Sequence, residues 1–264
     1  NREVNQQTSN LNQLNEQSLS LNVCNLQDGH SKATYRNIDL DMLSYKKLKM
    51  YVHMESQKLE NIVEKDDLTL FVRIGSDLDR NYYEYEYPLK PTEWGANEVV
   101  DDPEKIWPEK NEMVINFDLL KEVKNERNTK VANGETSYNK PFVKWKGNKK
   151  VKVIGTPTIS DVKNIMIGVR NPDANNDNPW KPDDGSSKCA EIWVNELRLS
   201  NFRENGGWAA NARVRSKLAD LGDISLAGHI SKPGFGSIQD RVSERKREET
   251  RRFDISSNIH LDKF

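Results

Sequence analysis

Oxygen donors stand at a suggestive spacing late in the chain. Asp173, Asn175, Asp177 and Asp184 occupy positions one, three, five and twelve of "DANNDNPWKPDD". Calcium needs several hard oxygens at close quarters, and EF-hand loops supply them at this spacing. Three departures weaken the match. Asn178 stands where the loop needs Gly, Asp184 replaces a bidentate Glu, and Pro179 and Pro182 interrupt the run. A solvated surface loop is the stronger reading, and calcium is the one cofactor the residues bring to mind.

Other chemistry is thinner. The four histidines, His30, His53, His229 and His260, are scattered and read as structural. "GFGS" (234–237) has two glycines but no helix pattern behind it, so it is a poor phosphate cradle. Gly-x-Ser-x-Gly, Walker, His-Glu-x-x-His and Cys-x-x-Cys motifs are absent from the sequence. No catalytic residue is assigned and no enzyme is expected. Cys24 and Cys189 are the only cysteines, too few for a zinc site. They are either two buried thiols or one disulfide of an oxidising compartment. In "NYYEYEYPL", Tyr83, Tyr85, Tyr87 and Leu89 share one face of a strand, and Glu84 and Glu86 share the other. Such aromatics can pack across strands. They can also stack on sugars, which makes a carbohydrate-binding module the alternative function.

The elements that must position these residues are strands. Leu19, Leu21 and Val23 alternate, as do Leu48, Met50, Val52 and Met54, and Leu68, Leu70, Val72 and Ile74. "NEMVINF", "VKNIMIGVR" and "CAEIWVNELRL" continue the series, with a parity shift near Asn195 that predicts a bulge. One short helix is expected over 118–127. Long irregular connections are expected over 90–110, 128–148 and 171–188. Little helix and many strands point to an all-β, jelly-roll-like sandwich over 18–200. Residues 1–17, rich in Asn and Gln, form a connecting segment.

After Leu199 the pattern changes. Trp208, Ala210, Ala212, Val214, Ser216 and Leu218 alternate with Ala209, Asn211, Arg213, Arg215 and Lys217. A short "DLGD" turn leads to a second strand over 223–231. A long charged loop, 232–251, leads to a third over 252–262. Strands of about ten residues with one apolar and one polar face, joined alternately by short turns and long loops, are the signature of a transmembrane β-barrel. An ordinary sheet with one wet face fits the same pattern. A net charge of −1 over 264 residues makes no case for nucleic acid. The chain opens on Asn1 without a visible leader and stops inside a strand pattern, which reads as a piece of something larger.

"NEQSLSLNVCNLQDG", "YKKLKMYVHME", "DLTLFVRIGSD", "NYYEYEYPL", "IMIGVRNP", "CAEIWVNELRLSNF" with "GGWAA", and "GFGSIQDRVSER" resemble successive blocks of the SprA/Sov family. The resemblance runs in order from about Asn15 to Phe264. These are outer-membrane translocons of the type IX secretion system of Bacteroidetes, linked to gliding motility. The resemblance implies a giant single-chain barrel that exports folded cargo bearing C-terminal sorting domains, with soluble inserts between its strands. It implies partners: the cargo, other secretion subunits including a plug-type protein, and outer-membrane lipid. Residues 201–264 would then be barrel strands, with Arg213, Arg215 and Lys217 lining the lumen. If "DLGD" is a periplasmic turn, the sandwich lies outside the cell as a cap, the alternative being periplasmic. A cell-envelope location is oxidising, and the first and last strands of a jelly roll can be neighbours. A Cys24–Cys189 disulfide is therefore expected.

Overall fold

The computed structural model describes residues 18–57, 62–92, 106–173, 184–202, 206–240, 244–246 and 248–260. Chain contacts divide into two units, Asn1–Phe202 and Arg203–Phe264.

The first unit runs β1 (Leu19–Leu26), β2 (Ser31–Leu40), β3 (Tyr45–Ser56), β4 (Thr69–Gly75), β5 (Tyr82–Pro88), β6 (Met113–Asn116), α1 (Phe117–Ala132), β7 (Phe142–Lys146), β8 (Lys149–Ile154), β9 (Val162–Arg170) and β10 (Lys188–Phe202). One sheet has the order β1-β10-β3-β6 and the other β2-β9-β4-β5-β8-β7. Their antiparallel pairs are nested: β1 with β10, β2 with β9, β3 with β6, β4 with β5. A long hairpin folded over on itself makes this scheme, which is that of a jelly roll. The β7–β8 hairpin extends the second sheet beyond β5.

Period-two alternation places the apolar residues of both sheets inward. Leu48, Met50, Val52 and Met54 of β3 join Leu70, Val72 and Ile74 of β4, Tyr83 and Tyr85 of β5, and Ile192 and Val194 of β10 in one buried cluster. Each such side chain contributes about 1.5–3 kcal/mol when fully buried. The parity shift in β10 is a bulge, with the register to β3 slipping between Asn195 and Arg198.

Two expectations are corrected. The helix runs longer than 118–127. Asn116 accepts a hydrogen bond from the Asp118 amide at 2.9 Å and caps its start, and Gly134, with φ +76°, follows its end. The stretch 128–148 is not irregular throughout, since it holds the last turn of α1 and all of β7. β2 was also absent from the expected series. Its "SKATYRNIDL" is exposed almost throughout and carries no alternating apolar face. Edge strands of this kind give no periodic signal.

Candidate membrane-facing sheet

The second unit is a three-stranded antiparallel sheet of β11 (Ala209–Lys217), β12 (Gly222–Ser231) and β13 (Thr250–Ile259), in that order. Its register is unbroken. Ala209 to Lys217 face Ser231 to Asp223, and Ser231 to Gly222 face Thr250 to Ile259. Directly paired residues share a face, so every row can be assigned. The central apolar row is Val214–Leu226–Ile255, flanked by Ala212–Gly228–Phe253 and Ser216–Ile224–Ser257. These side chains are not covered: Val214 is 59% exposed, and Phe253 and Ile255 are each 78% exposed. Contiguous apolar faces left open this way mark a membrane or a partner surface.

The opposite face is polar. Its rows are Asn211–His229–Arg252, Arg213–Ala227–Asp254, Arg215–Ser225–Ser256 and Lys217–Asp223–Asn258. Asn211 Oδ1 and His229 Nδ1 lie 2.5 Å apart, in a groove also lined by Arg213, Arg252 and Asp254. The register thus places Arg213, Arg215 and Lys217 on the face away from Val214, Leu226 and Ile255.

The two ends of the sheet differ. At one, residues 218–222 close β11 onto β12, and the Leu218 amide donates to the Gly222 carbonyl at 2.8 Å. At the other, the long connection folds back on itself. Gly234 donates to the Lys246 carbonyl at 2.6 Å, and Lys246 donates to the Phe235 carbonyl at 3.0 Å. A Cβ on Gly207 would sit 1.9 Å from the Phe235 nitrogen. Gly207 therefore serves close backbone packing, and Gly234, at φ +88°, takes a turn conformation that glycine adopts freely.

The other sequence candidates fall in the first unit. Cys24 and Cys189 are disulfide-bonded across the neighbouring strands β1 and β10. Asp184 binds Lys188 at 2.7 Å and accepts from the Ser186 amide. Burial opposes ionisation of Asp184, yet these contacts hold its carboxyl below the usual range. Asp173 packs beside Gly29, while Asn175 and Asp177 lie outside the described residues. Among the described residues no three His, Cys, Asp or Glu gather as a metal site. His53 is buried, with Nδ1 2.7 Å from the Ile106 carbonyl and its ring stacked on Trp193. Tyr83 and Tyr85 are core residues whose hydroxyls donate to the Pro157 and Val114 carbonyls. Neither ring can stack on a sugar without opening the core.

One constellation was missed. Glu84 and Glu86 sit on the outer face of their sheet, yet they are only 1% and 3% exposed. Arg73, Lys152 and Arg170 approach Glu84 at 2.6, 2.7 and 3.2 Å. Thr69 donates to Glu86 at 2.8 Å, and Arg170 also pairs with Glu86. Burial pushes the Glu84 carboxyl up, but Lys152, Arg170 and Arg73 outweigh it and hold the carboxyl down at about 2, from an ordinary 4.5. A pKa lowered on folding gives stability that is complete above the unfolded value and lost as pH falls through the folded one. Acid titration of the folded chain is therefore expected to remove about 3 kcal/mol between roughly pH 4.5 and pH 2. A flat unfolding midpoint over that window would contradict this. The available signal was parity: Arg73, Lys150 and Lys152 oppose these glutamates in register.

A family model described as "motility related/secretion protein", SprA_N, matches residues 1–264. The chain belongs to the SprA family. A search of curated proteins finds no match. For this SprA-family chain, no helix among the described residues is long and apolar enough to cross a membrane, which says nothing of strands. A motility- or secretion-related role is what the family description carries.

Proposed function

We propose that β11–β13 are a segment of the wall of an outer-membrane β-barrel, and that the chain is part of a channel exporting folded proteins by type IX secretion. The observation that carries this is the row Val214–Leu226–Ile255, exposed on one face, with Arg213, Arg215 and Lys217 on the other. A soluble sheet of this size would bury its apolar face in its own core. Lipid is the solvent that suits such a face, and a wet lumen suits the cations. Strand lengths of nine and ten residues match a tilted span. Acid–base or metal chemistry is not required of a conduit. Its partners would be cargo with C-terminal sorting domains, a plug-type subunit that closes the pore, and outer-membrane lipid.

Orientation follows from the connections. Short turns lie on the periplasmic side of such barrels and long loops outside. Residues 218–222 would face the periplasm, and β11 would enter from outside. The jelly roll preceding it is then extracellular, a cap at the outer mouth.

The test is a matched pair of substitutions in the full-length protein. Leu226→Arg places a cation at mid-strand on the apolar face and is expected to cost about 2–4 kcal/mol of barrel stability. Arg215→Ser, on the polar face, should stay within about 0.5 kcal/mol. Heat-modifiable mobility of the outer-membrane fraction reads both. Equal tolerance of the two changes would refute a lipid-facing row.

A further inference from the structure

Arg127 is the one long cation of α1 that is wholly buried among the described residues. Its Nε donates to Asn128 Oδ1 at 3.0 Å. Its two Nη nitrogens have no hydrogen-bond partner. The guanidinium lies against the ring of Tyr138, with Cζ 4.8 Å from the ring centroid. Tyr138 itself is 43% exposed, so its ring is what stands between Arg127 and water on that side. One helical turn earlier is a second cation. Lys124 Nζ donates to the Pro157 carbonyl at 2.7 Å, the same carbonyl that takes the Tyr83 hydroxyl at 3.1 Å. Burial first, and then the charge of Arg127, push the Lys124 ammonium below its ordinary range.

Two cations are thus neighbours in the sandwich, and no carboxylate of the described residues is seen to pair with either. Elsewhere in this unit buried charge is matched with care, as around Glu84 and Glu86. An empty guanidinium fork in a dry site is costly, because desolvation of the charge is uncompensated. The contact with Tyr138 offsets only part of that.

We propose that Arg127 is the floor of a carboxylate-binding site, that Tyr138 is its cover and that Lys124 is a second cation at its side. The two free Nη groups form the planar fork that a carboxylate satisfies bidentately. The Tyr138 backbone is held by the Gly155 amide, which donates to its carbonyl at 2.8 Å. Rotation of the Tyr138 side chain would open the site and leave that hydrogen bond intact. A free small carboxylate and a carboxylate side chain of a partner present the same group to this fork.

Thermal unfolding of the full chain, titrated with sodium formate against sodium chloride at equal ionic strength, tests the site. Formate should raise Tm saturably above chloride in the wild type. Tyr138→Ala should lower the half-saturating formate concentration about tenfold, since the ring no longer competes for the cation. Arg127→Met should abolish the response. Identical Tm in formate and chloride, in both the wild type and Tyr138→Ala, would overturn the proposal. So would a formate response that persists in Arg127→Met. If Arg127→Met does not fold, the wild type and Tyr138→Ala decide the matter between them. Sodium glutamate and an acidic peptide, added in the same way, separate a free metabolite from a partner's side chain.

Discussion

Cys24→Ser is expected to lower the stability of the sandwich by about 5 kcal/mol, the chain-entropy value for a cross-link closing so long a loop. The two cysteines are 165 residues apart in sequence. The loop they close contains nearly every strand of both sheets, so the bridge constrains the unfolded chain across the whole unit. The native side is prepared for it. β1 slips in register between Val23 and Leu26, and Asn25 takes a φ of +53°. That irregularity sits beside Cys24, and the Asn25 amide donates to Cys189 Sγ at 3.4 Å. Domains of this size have about 5–15 kcal/mol in total, so the loss is a large share. Urea unfolding of the wild type with and without reductant, beside Cys24→Ser, measures it. The reduced wild type and the variant should coincide at a lower midpoint. A midpoint insensitive to reductant would contradict the prediction.

Glu84→Gln should cost about 3–5 kcal/mol, the range for removing one partner of a buried ion network. The amide is nearly isosteric, so packing is retained and the effect is electrostatic. Arg73, Lys152 and Arg170, themselves mostly buried, lose the buried carboxylate they converge on. Adding Lys152→Gln to Glu84→Gln should recover part of the loss, because one of the stranded cations is removed with it. An intact network need not outweigh a hydrophobic replacement, and the prediction concerns only its breaking. Urea midpoints at constant m-value give the answer. A Glu84→Gln variant within about 1 kcal/mol of the wild type would show the three cations to be well solvated after all.

The contrast between Glu84 and Tyr85 shows what alternation conveys. Period-two patterning assigned both to their faces correctly, and it located β3, β4, β5, β9 and β10 through their inward Leu, Met, Val, Ile and Tyr residues. It could not say which medium the outer face meets. Glu84 looked wet because Glu usually is, yet its partners arrive from β4, β8 and β9, and two of them, Lys152 and Arg170, are 68 and 86 residues away in sequence. β2 escaped notice because an exposed edge has no apolar stripe. The need for glycine at 207 went unnoticed for a related reason. A Cβ there would strike the backbone of Gly234 and Phe235, and nothing in a local window announces a contact made some 28 residues away. In the second unit, parity separated Val214 from Arg213 and Arg215 within a single strand. The register of β12 and β13 was needed to turn that parity into a continuous apolar face three strands wide.

The central claim is that this face meets lipid. Its most direct test uses the full-length protein in nanodiscs, with Ile255→Cys and Arg215→Cys each labelled by an environment-sensitive fluorophore. Quenching is then compared between a lipid-borne nitroxide and aqueous iodide. The account predicts that the label at 255 is quenched by the nitroxide and shielded from iodide, and that the label at 215 shows the reverse. Iodide quenching both labels equally, with no effect of the nitroxide on either, would contradict it.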